Sequence, residues 1–343
     1  MNQTVLHKGE QGTPTIIIQQ PGRRLLLMFL LFALAFSLML NLGLLASVGD
    51  LTSDTNTPNE KFHSGDSLAD AKIARIEANF MIMNPYTDRI IKAIKKAAKD
   101  DEVKGVLLVI DSPGGLVSDS HEIYHQIKIL SEKKPVFVQM KGIAASGGYY
   151  IAMGAGPDAP VYVEPTTWTG SIGVIVPRYN ATELADKIGV KADSLATGPL
   201  KDTLNPLKEM SPRERQVWDA IIQDSFDRFL SVIAENRPNL NLEQVRELAT
   251  GQVYTANQAI KNGLADEISF EEDSLTKLKE KLGLKTVKVI NYTYPLSLTE
   301  SLLSVTARQP EINIDPFSKI LEASTPRAMY LFGSQHGLKS DSY

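Results

Sequence analysis

The chain has 343 residues, a formal net charge of −4 and no cysteine. That charge gives no bulk electrostatic case for a nucleic-acid partner. The missing thiols exclude disulfides, thiolate metal sites and a cysteine nucleophile.

Residues 1–24 are polar and carry Lys8, Arg23 and Arg24, apart from an apolar patch at Ile16-Ile17-Ile18. Leu25–Val48 is apolar, interrupted only by Ser37, Asn41, Gly43 and Ser47. At about 1.5 Å per residue it is long enough to cross a hydrocarbon core of ~30 Å. It exceeds the usual ~7–15-residue signal-peptide core, and no clean small-x-small site follows, so an uncleaved anchor is expected. Basic residues precede it and Asp50, Asp54 and Glu60 follow. The positive-inside rule then puts the N-terminus in the cytoplasm and the remainder outside. The expected division is a cytoplasmic segment 1–24, an anchor 25–48, a polar linker 49–69, a folded domain 70–295 and a tail 296–343. The tail is expected to pack on a partner or stay mobile.

Within the domain, residues 73–82 read as a strand. A helix follows, capped by Thr87 or Asp88, with Ile90, Ile91, Ile94 and Ala97 on one face. Val106-Leu107-Leu108-Val109-Ile110 is apolar throughout, as in a buried parallel strand. It runs into Asp111-Ser112-Pro113-Gly114-Gly115 and a helix reaching Lys133. A strand from Val136 leads to Gly142-Ile143-Ala144-Ala145-Ser146-Gly147-Gly148-Tyr149-Tyr150, whose end reads as helix. Residues 159–163 and 171–176 read as strands, and 182–188 as a short helix. Lys201 falls in a turn-rich loop, 197–206. A long helix then runs to about Asn236, with Ser211 as N-cap, Pro212 at N1 and Glu214 closing a capping box. Residues 242–248 form another helix. Gly251-Gln252-Val253-Tyr254 and a helix ended by Gly263 close the main fold. Strands alternating with helices predict an α/β fold with largely parallel pairing.

Three constellations bear on chemistry. His121-Glu122-Ile123-Tyr124-His125 matches H-E-x-x-H, a zinc-protease signature. On a helical wheel Ile123, Ile127 and Leu130 form the buried stripe, and the two histidines fall opposite. A third ligand is hard to find, so no metal and no cofactor is expected. The second constellation, Asp111 to Gly115, is either an ordinary Pro-Gly turn or a place where bare N–H groups hold a substrate main chain or an oxyanion. The third centres on Ser146, flanked by small residues where a strand turns into a helix. It is either a tightly packed turn or a nucleophile beside free helix-start N–H groups. No histidine offers itself as a base. A lysine can serve only when desolvation leaves it neutral, and spacing alone does not single out Lys201 from the surface lysines.

The pieces Val109–Gly115, Ala144–Tyr150, Thr169–Val174, Gly198–Asp202, Gly251–Thr255 and Gly263–Asp266, in this order behind one anchor, resemble the membrane-anchored serine peptidases of the signal peptide peptidase A type, short form. The resemblance spans about residues 70–290. It implies a Clp protease/crotonase-like fold and a Ser-Lys dyad. In that reading Ser146 is the nucleophile, Lys201 the general base and Ser171 the residue that orients the amine. Backbone N–H groups of Gly114, Gly115 and Gly147 would serve the oxyanion hole and the substrate main chain. The resemblance further implies remnant signal peptides or other apolar peptides as substrates, a single-pass place in the bacterial inner membrane with the catalytic domain periplasmic, and a homo-oligomeric ring. It gives His121 and His125 no role. The rivals are a related Ser-Lys peptidase cutting integral membrane proteins, an acyl-CoA enzyme of the crotonase type, and a non-catalytic membrane scaffold. An outward-facing anchor argues against the acyl-CoA enzyme, and the presence of Ser146, Ser171 and Lys201 argues against the scaffold.

Overall fold

The computed structural model describes residues 22–52, 57–294 and 329–331. The chain divides into two units, residues 1–55 and 56–343. Among its described residues the first is one helix, α1 (Gly22–Thr52). Its window Leu25–Leu42 has a mean hydropathy of 2.5 and none of it is buried. Length and composition therefore suit a membrane span, and the whole of the expected anchor, 25–48, lies within this helix.

The second unit is built on β1 (Asn59–Gly65), β2 (Lys72–Ala78), α2 (Tyr86–Lys99), β3 (Val103–Ser112), β4 (Gly114–Leu116), α3 (Val117–Ser131), β5 (Val136–Ala145) and α4 (Gly147–Ala152). It continues with β6 (Val161–Val163), β7 (Trp168–Gly170), α5 (Thr182–Lys187), α6 (Pro212–Asn236), α7 (Leu242–Leu248), β8 (Val253–Thr255), α8 (Ala256–Lys261), β9 (Glu267–Ile268), α9 (Glu271–Lys281), β10 (Lys288–Thr293) and β11 (Met329–Leu331). The main sheet runs β1-β10-β2-β3-β5-β6-β9, with β7 paired to β5 and β8 to β7. Among the described residues only β1–β10 and β7–β8 pair antiparallel in it. The fold is α/β and Clp protease-like.

The core follows from β3. Successive side chains on a strand point to opposite faces, and both faces here are covered. Val106, Leu108 and Ile110 enter the larger cluster with α2, α3 and α4, whereas Leu107 and Val109 enter a smaller one with Leu278 of α9. On α3, Ile123, Ile127 and Leu130 are buried as the wheel predicts. The capping box of Ser211 and Glu214 is formed at the start of α6.

Several expectations need correction. Residues 59–65, placed in the linker, form β1 and pair with β10. The first domain strand ends at Ala78 rather than 82. Residues 171–176 are not a strand: Gly170 and Ser171 both have positive φ, 82° and 49°, which ends β7. Pro85, not Thr87 or Asp88, occupies the N-cap of α2, and the Thr87 hydroxyl instead donates to Asp119 Oδ2 at 2.8 Å. Most of the expected tail lies outside the described residues, but 329–331 pack as β11 on β4.

Candidate active site

Ser146 stands between β5 and α4, so the last strand residue and the first helix residue are its neighbours. Its backbone is at φ 56°, ψ −115°, outside the regions open to L-residues without strain. Two main-chain bonds hold it there. Its N–H donates to Gly170 O at 2.7 Å, and its carbonyl accepts from Tyr150 N–H at 2.9 Å. The side chain is 1% exposed, and Oγ has no hydrogen-bond partner among the described residues.

The small neighbours are needed for packing as well as for access. A Cβ on Gly147 would lie 2.5 Å from Ser120 Oγ, and one on Gly148 would lie 2.7 Å from the Ser112 carbonyl. The turn is therefore tightly packed, and its serine hydroxyl is left without a partner among the described residues. Asp111 aligns the approach to it, because its Oδ1 accepts from Ile143 N–H at 2.9 Å where the β3–β5 register slips.

Parallel pairing of β5 with β7 places Ala145 opposite Gly170. Ser146 and Ser171 therefore sit side by side, each just past a paired strand end and each with positive φ. Ser171 is 6% exposed, and its N–H donates to Gln252 O at 2.7 Å. This explains the Gly251-Gln252-Val253-Tyr254 piece: β8 runs antiparallel to β7 and fixes Ser171 from the other side. The Gly263–Asp266 piece anchors the helix after the serine. Tyr149 Oη donates to Leu264 O at 2.9 Å, and Asp266 binds Arg237.

The glycine pair lies alongside. Gly114, at φ 99°, donates its N–H to Ser112 Oγ at 3.1 Å. Gly147 opens α4, so its N–H has no acceptor within the helix. Ile82 N–H donates to Gly114 O and Leu116 N–H to Ile82 O, both at 2.8 Å. Because such groups alternate along a strand, the N–H and C=O of Gly115 face the other way. There its ladder partner is Tyr330 of β11. On the far side of β11, Met329 exchanges both main-chain bonds with Ile175, at 3.0 and 2.9 Å. An extended segment thus lies between β4 and Ile175, over the glycines that precede the serine turn.

Lys201 is placed differently. It is exposed in its loop, and its N–H donates to Gly198 O at 3.2 Å. The following residues are tied down: Trp218 Nε1 donates to Thr203 Oγ1 at 2.9 Å, and the Arg178 guanidinium bonds the carbonyls of Asn205 and Lys208. Since Ser146 Oγ has no partner among the described residues, the structure does not join Lys201 to it.

The H-E-x-x-H pair does not form a metal cluster: among the described residues no three His, Asp or Glu side chains are grouped to hold an ion. His121 has a different contact, its Nδ1 lying 2.8 Å from Tyr150 Oη. Burial and then the nearby Arg228 and His125 charges push its pKa below the ordinary histidine value. The sequence reading missed this contact, and it missed Tyr330, which is 0% exposed. The only signal for Tyr330 was the short apolar run Ala328-Met329-Tyr330-Leu331-Phe332.

Residues 128–285 match the profile of Peptidase family S49, and residues 66–173 match that of Clp protease. A relative from Enterococcus faecium bearing the name signal peptide peptidase SppA is 37% identical over 268 residues, 75% of this chain and 77% of its own length. The chain belongs to peptidase family S49. A protein from Synechocystis named as a protease is 40% identical over 64% of this chain and 77% of its own length. Protease 4 of Salmonella typhi is 34% identical, and the match spans 62% of this chain and 35% of Protease 4. Serine peptidase chemistry is thus the family's.

Proposed function

We propose that this S49 member is a membrane-anchored serine endopeptidase with a Ser-Lys dyad that degrades remnant signal peptides. The observation that carries the reading is Ser146 itself. It is a buried serine with an unpartnered hydroxyl, held at positive φ on a strand-to-helix turn beside a cleft that accepts an extended segment.

In this mechanism a peptide adds as a strand to Gly115, as β11 does, and brings a carbonyl to Ser146. Main-chain bonds fix its register whatever its sequence. Lys201, as the free amine, takes the Ser146 proton, and Oγ attacks the carbonyl carbon. The oxyanion is met by the N–H groups of Gly147 and Gly114, in place of the Ser112 hydroxyl at Gly114, while Gly115 holds the peptide main chain. The tetrahedral adduct expels the amine, which receives the proton from Lys201. Water then hydrolyses the ester by the same route. Ser171, beside Ser146, orients the lysine amine.

Lys201 is exposed in its loop, and a bound peptide or a neighbouring copy covering that loop would complete the site, in keeping with the homo-oligomeric ring that the resemblance implies. The anchor α1 tethers the catalytic unit to the membrane in which leftover signal peptides reside, with that unit on the periplasmic side.

Steady-state hydrolysis of signal peptides by the detergent-solubilised full chain tests the dyad. Ser146→Ala and Lys201→Ala should each abolish turnover, and the double variant should be scarcely worse than either, because both serve one step. Lys201→Arg should not restore it, since a guanidinium does not give up its proton. A well-folded Lys201→Ala protein cleaving at near the wild-type rate would refute the assignment of the base.

A further inference from the structure

Helix α2 carries its charge on one side. Arg89, Lys92, Lys95, Lys96 and Lys99 stand against one acid, Asp88, so the helix holds a formal +4 in a chain whose net charge is −4. At about 100° per residue the five cations fall within an arc of roughly 120°, opposite the buried Ile90, Ile91, Ile94 and Ala97. Lys92, Lys95 and Lys99 make no ion pair or side-chain hydrogen bond among the described residues. The carboxylates that border the stripe are already engaged: Glu60, Asp100 and Glu102 all meet the Lys72 ammonium, at 2.9, 3.1 and 2.7 Å.

The stripe lies beside the first described residues of the second unit. Lys96 Nζ donates to the Pro58 carbonyl at 2.7 Å and lies 3.9 Å from Glu60 Oε1. β1, which starts there, is an edge strand of the sheet. Its Phe62 pairs with Ile290, whose side chain enters the same cluster as Ile90, Ile91 and Ile94. Paired residues share a sheet face, so the Phe62 ring stands on the face that α2 covers. The ring is nevertheless 50% exposed. Unpaired ammonium groups beside an exposed aromatic ring suit a surface of lipid headgroups, where cations meet phosphates and rings settle at the interface.

We propose that the α2 face of Lys92, Lys95 and Lys99, with Phe62 beside it, docks on the anionic phospholipid headgroups of the membrane that α1 enters. The docking is separate from the peptidase chemistry and rests only on α1 being a membrane anchor. Charge and tether length select this occupant. Residues 53–56 alone separate Thr52, the end of α1, from Thr57, and an extended chain of that length spans at most about 18 Å. Anionic leaflets attract lysines within about a Debye length, ~8–10 Å, and a short tether keeps the stripe at high local concentration near that surface. A second copy presenting the same stripe would instead bring like charges together. Docking through α2 fixes which side of the catalytic unit meets the bilayer.

The chain has no cysteine, so a single labelling site can be introduced into the full-length protein. A fluorophore is attached at Lys95→Cys or, as reference, at Glu280→Cys on α9, which covers the opposite sheet face. Each protein is placed in nanodiscs of phosphatidylcholine alone or with about 30% phosphatidylglycerol, and both kinds carry a nitroxide-headgroup phosphatidylcholine as a short-range quencher. Quenching at position 95 should rise at least about twofold with the anionic lipid and fall back in about 0.5 M salt, where the Debye length is ~4 Å. Quenching at position 280 should not change. Each lysine at an anionic surface shifts such an equilibrium roughly fivefold, so Lys92→Glu with Lys99→Glu should cut the docked population more than ~20-fold and return quenching to the level in phosphatidylcholine alone. Phe62→Ala should lower the quenching without altering its salt dependence, and an unchanged signal would remove Phe62 from the assignment. Quenching at 95 that ignores phosphatidylglycerol, or that rises equally at 280, would overturn the proposal, and neither arm depends on a charge-reversed variant folding. A chain that fails to enter nanodiscs would defeat the anchor and the proposal together, whereas entry without the lipid-dependent signal would defeat the docking face alone.

Discussion

Replacing Ser146 by glycine should make the protein more stable while removing its activity. The residue sits at φ 56°, ψ −115°, where ψ lies far from even the left-handed basin. Such a conformation costs on the order of 1–3 kcal/mol in a residue with a Cβ. Glycine adopts it freely but gives back about 0.5–1 kcal/mol through the greater freedom of the unfolded chain. The buried Oγ, unpartnered among the described residues, adds a desolvation cost of about 1–3 kcal/mol. Ser146→Ala removes the second term only and should stabilise by about 1 kcal/mol. Ser146→Gly removes both and should gain about 2 kcal/mol. At roughly 2–4 °C per kcal/mol for domains of ~150–250 residues, Tm should rise by about 4–8 °C for glycine and half that for alanine. Thermal unfolding followed by circular dichroism, run with signal-peptide hydrolysis on the same preparations, checks both halves. A glycine variant melting at or below the alanine variant would show that no backbone strain is held at this turn. A glycine variant that still hydrolyses peptide would show that Ser146 is not the nucleophile.

Two other outcomes are expected. Lys208 and Ser211 hold the Glu214 carboxyl down at about 2. Its folded pKa is therefore below its unfolded one, so its contribution is complete above about 4.3 and is lost as pH falls towards 2; Glu214→Gln should be less stable at neutral pH and show a flatter loss in that acid window, as read by urea unfolding at a series of pH values. A reporter active only outside the cytoplasm, fused after residue 60, should be active; activity of a cytoplasmic reporter alone at that point would reverse the proposed topology.

What the sequence showed and what it hid divide along the range of the interactions concerned. The α6 start was legible because its signal is local: Ser211, Pro212 and Glu214 lie within one turn and form the capping box unaided. The central strand was legible because burial on both faces leaves an unbroken apolar run. The Ser146 turn was legible from its small neighbours, although the reason for each glycine, contact with Ser120 or Ser112, required the packed helix and strand. β1 was not legible, since Asn59–Gly65, polar but for Phe62, has no buried face and is strand only through pairing with β10, over 200 positions away. β11 was hidden for the same reason, as three residues gain their conformation from Gly115 on one side and Ile175 on the other. The misread 171–176 segment shows the converse. Its apolar content resembles a strand, yet positive φ at Gly170 and Ser171 turns the chain and leaves Ile175 as a single bridge. That departure from local propensity is what sets Ser171 beside Ser146 and gives β11 its second edge. The residues least readable from pattern are those around β11, because their conformation comes from pairing between segments far apart in the sequence.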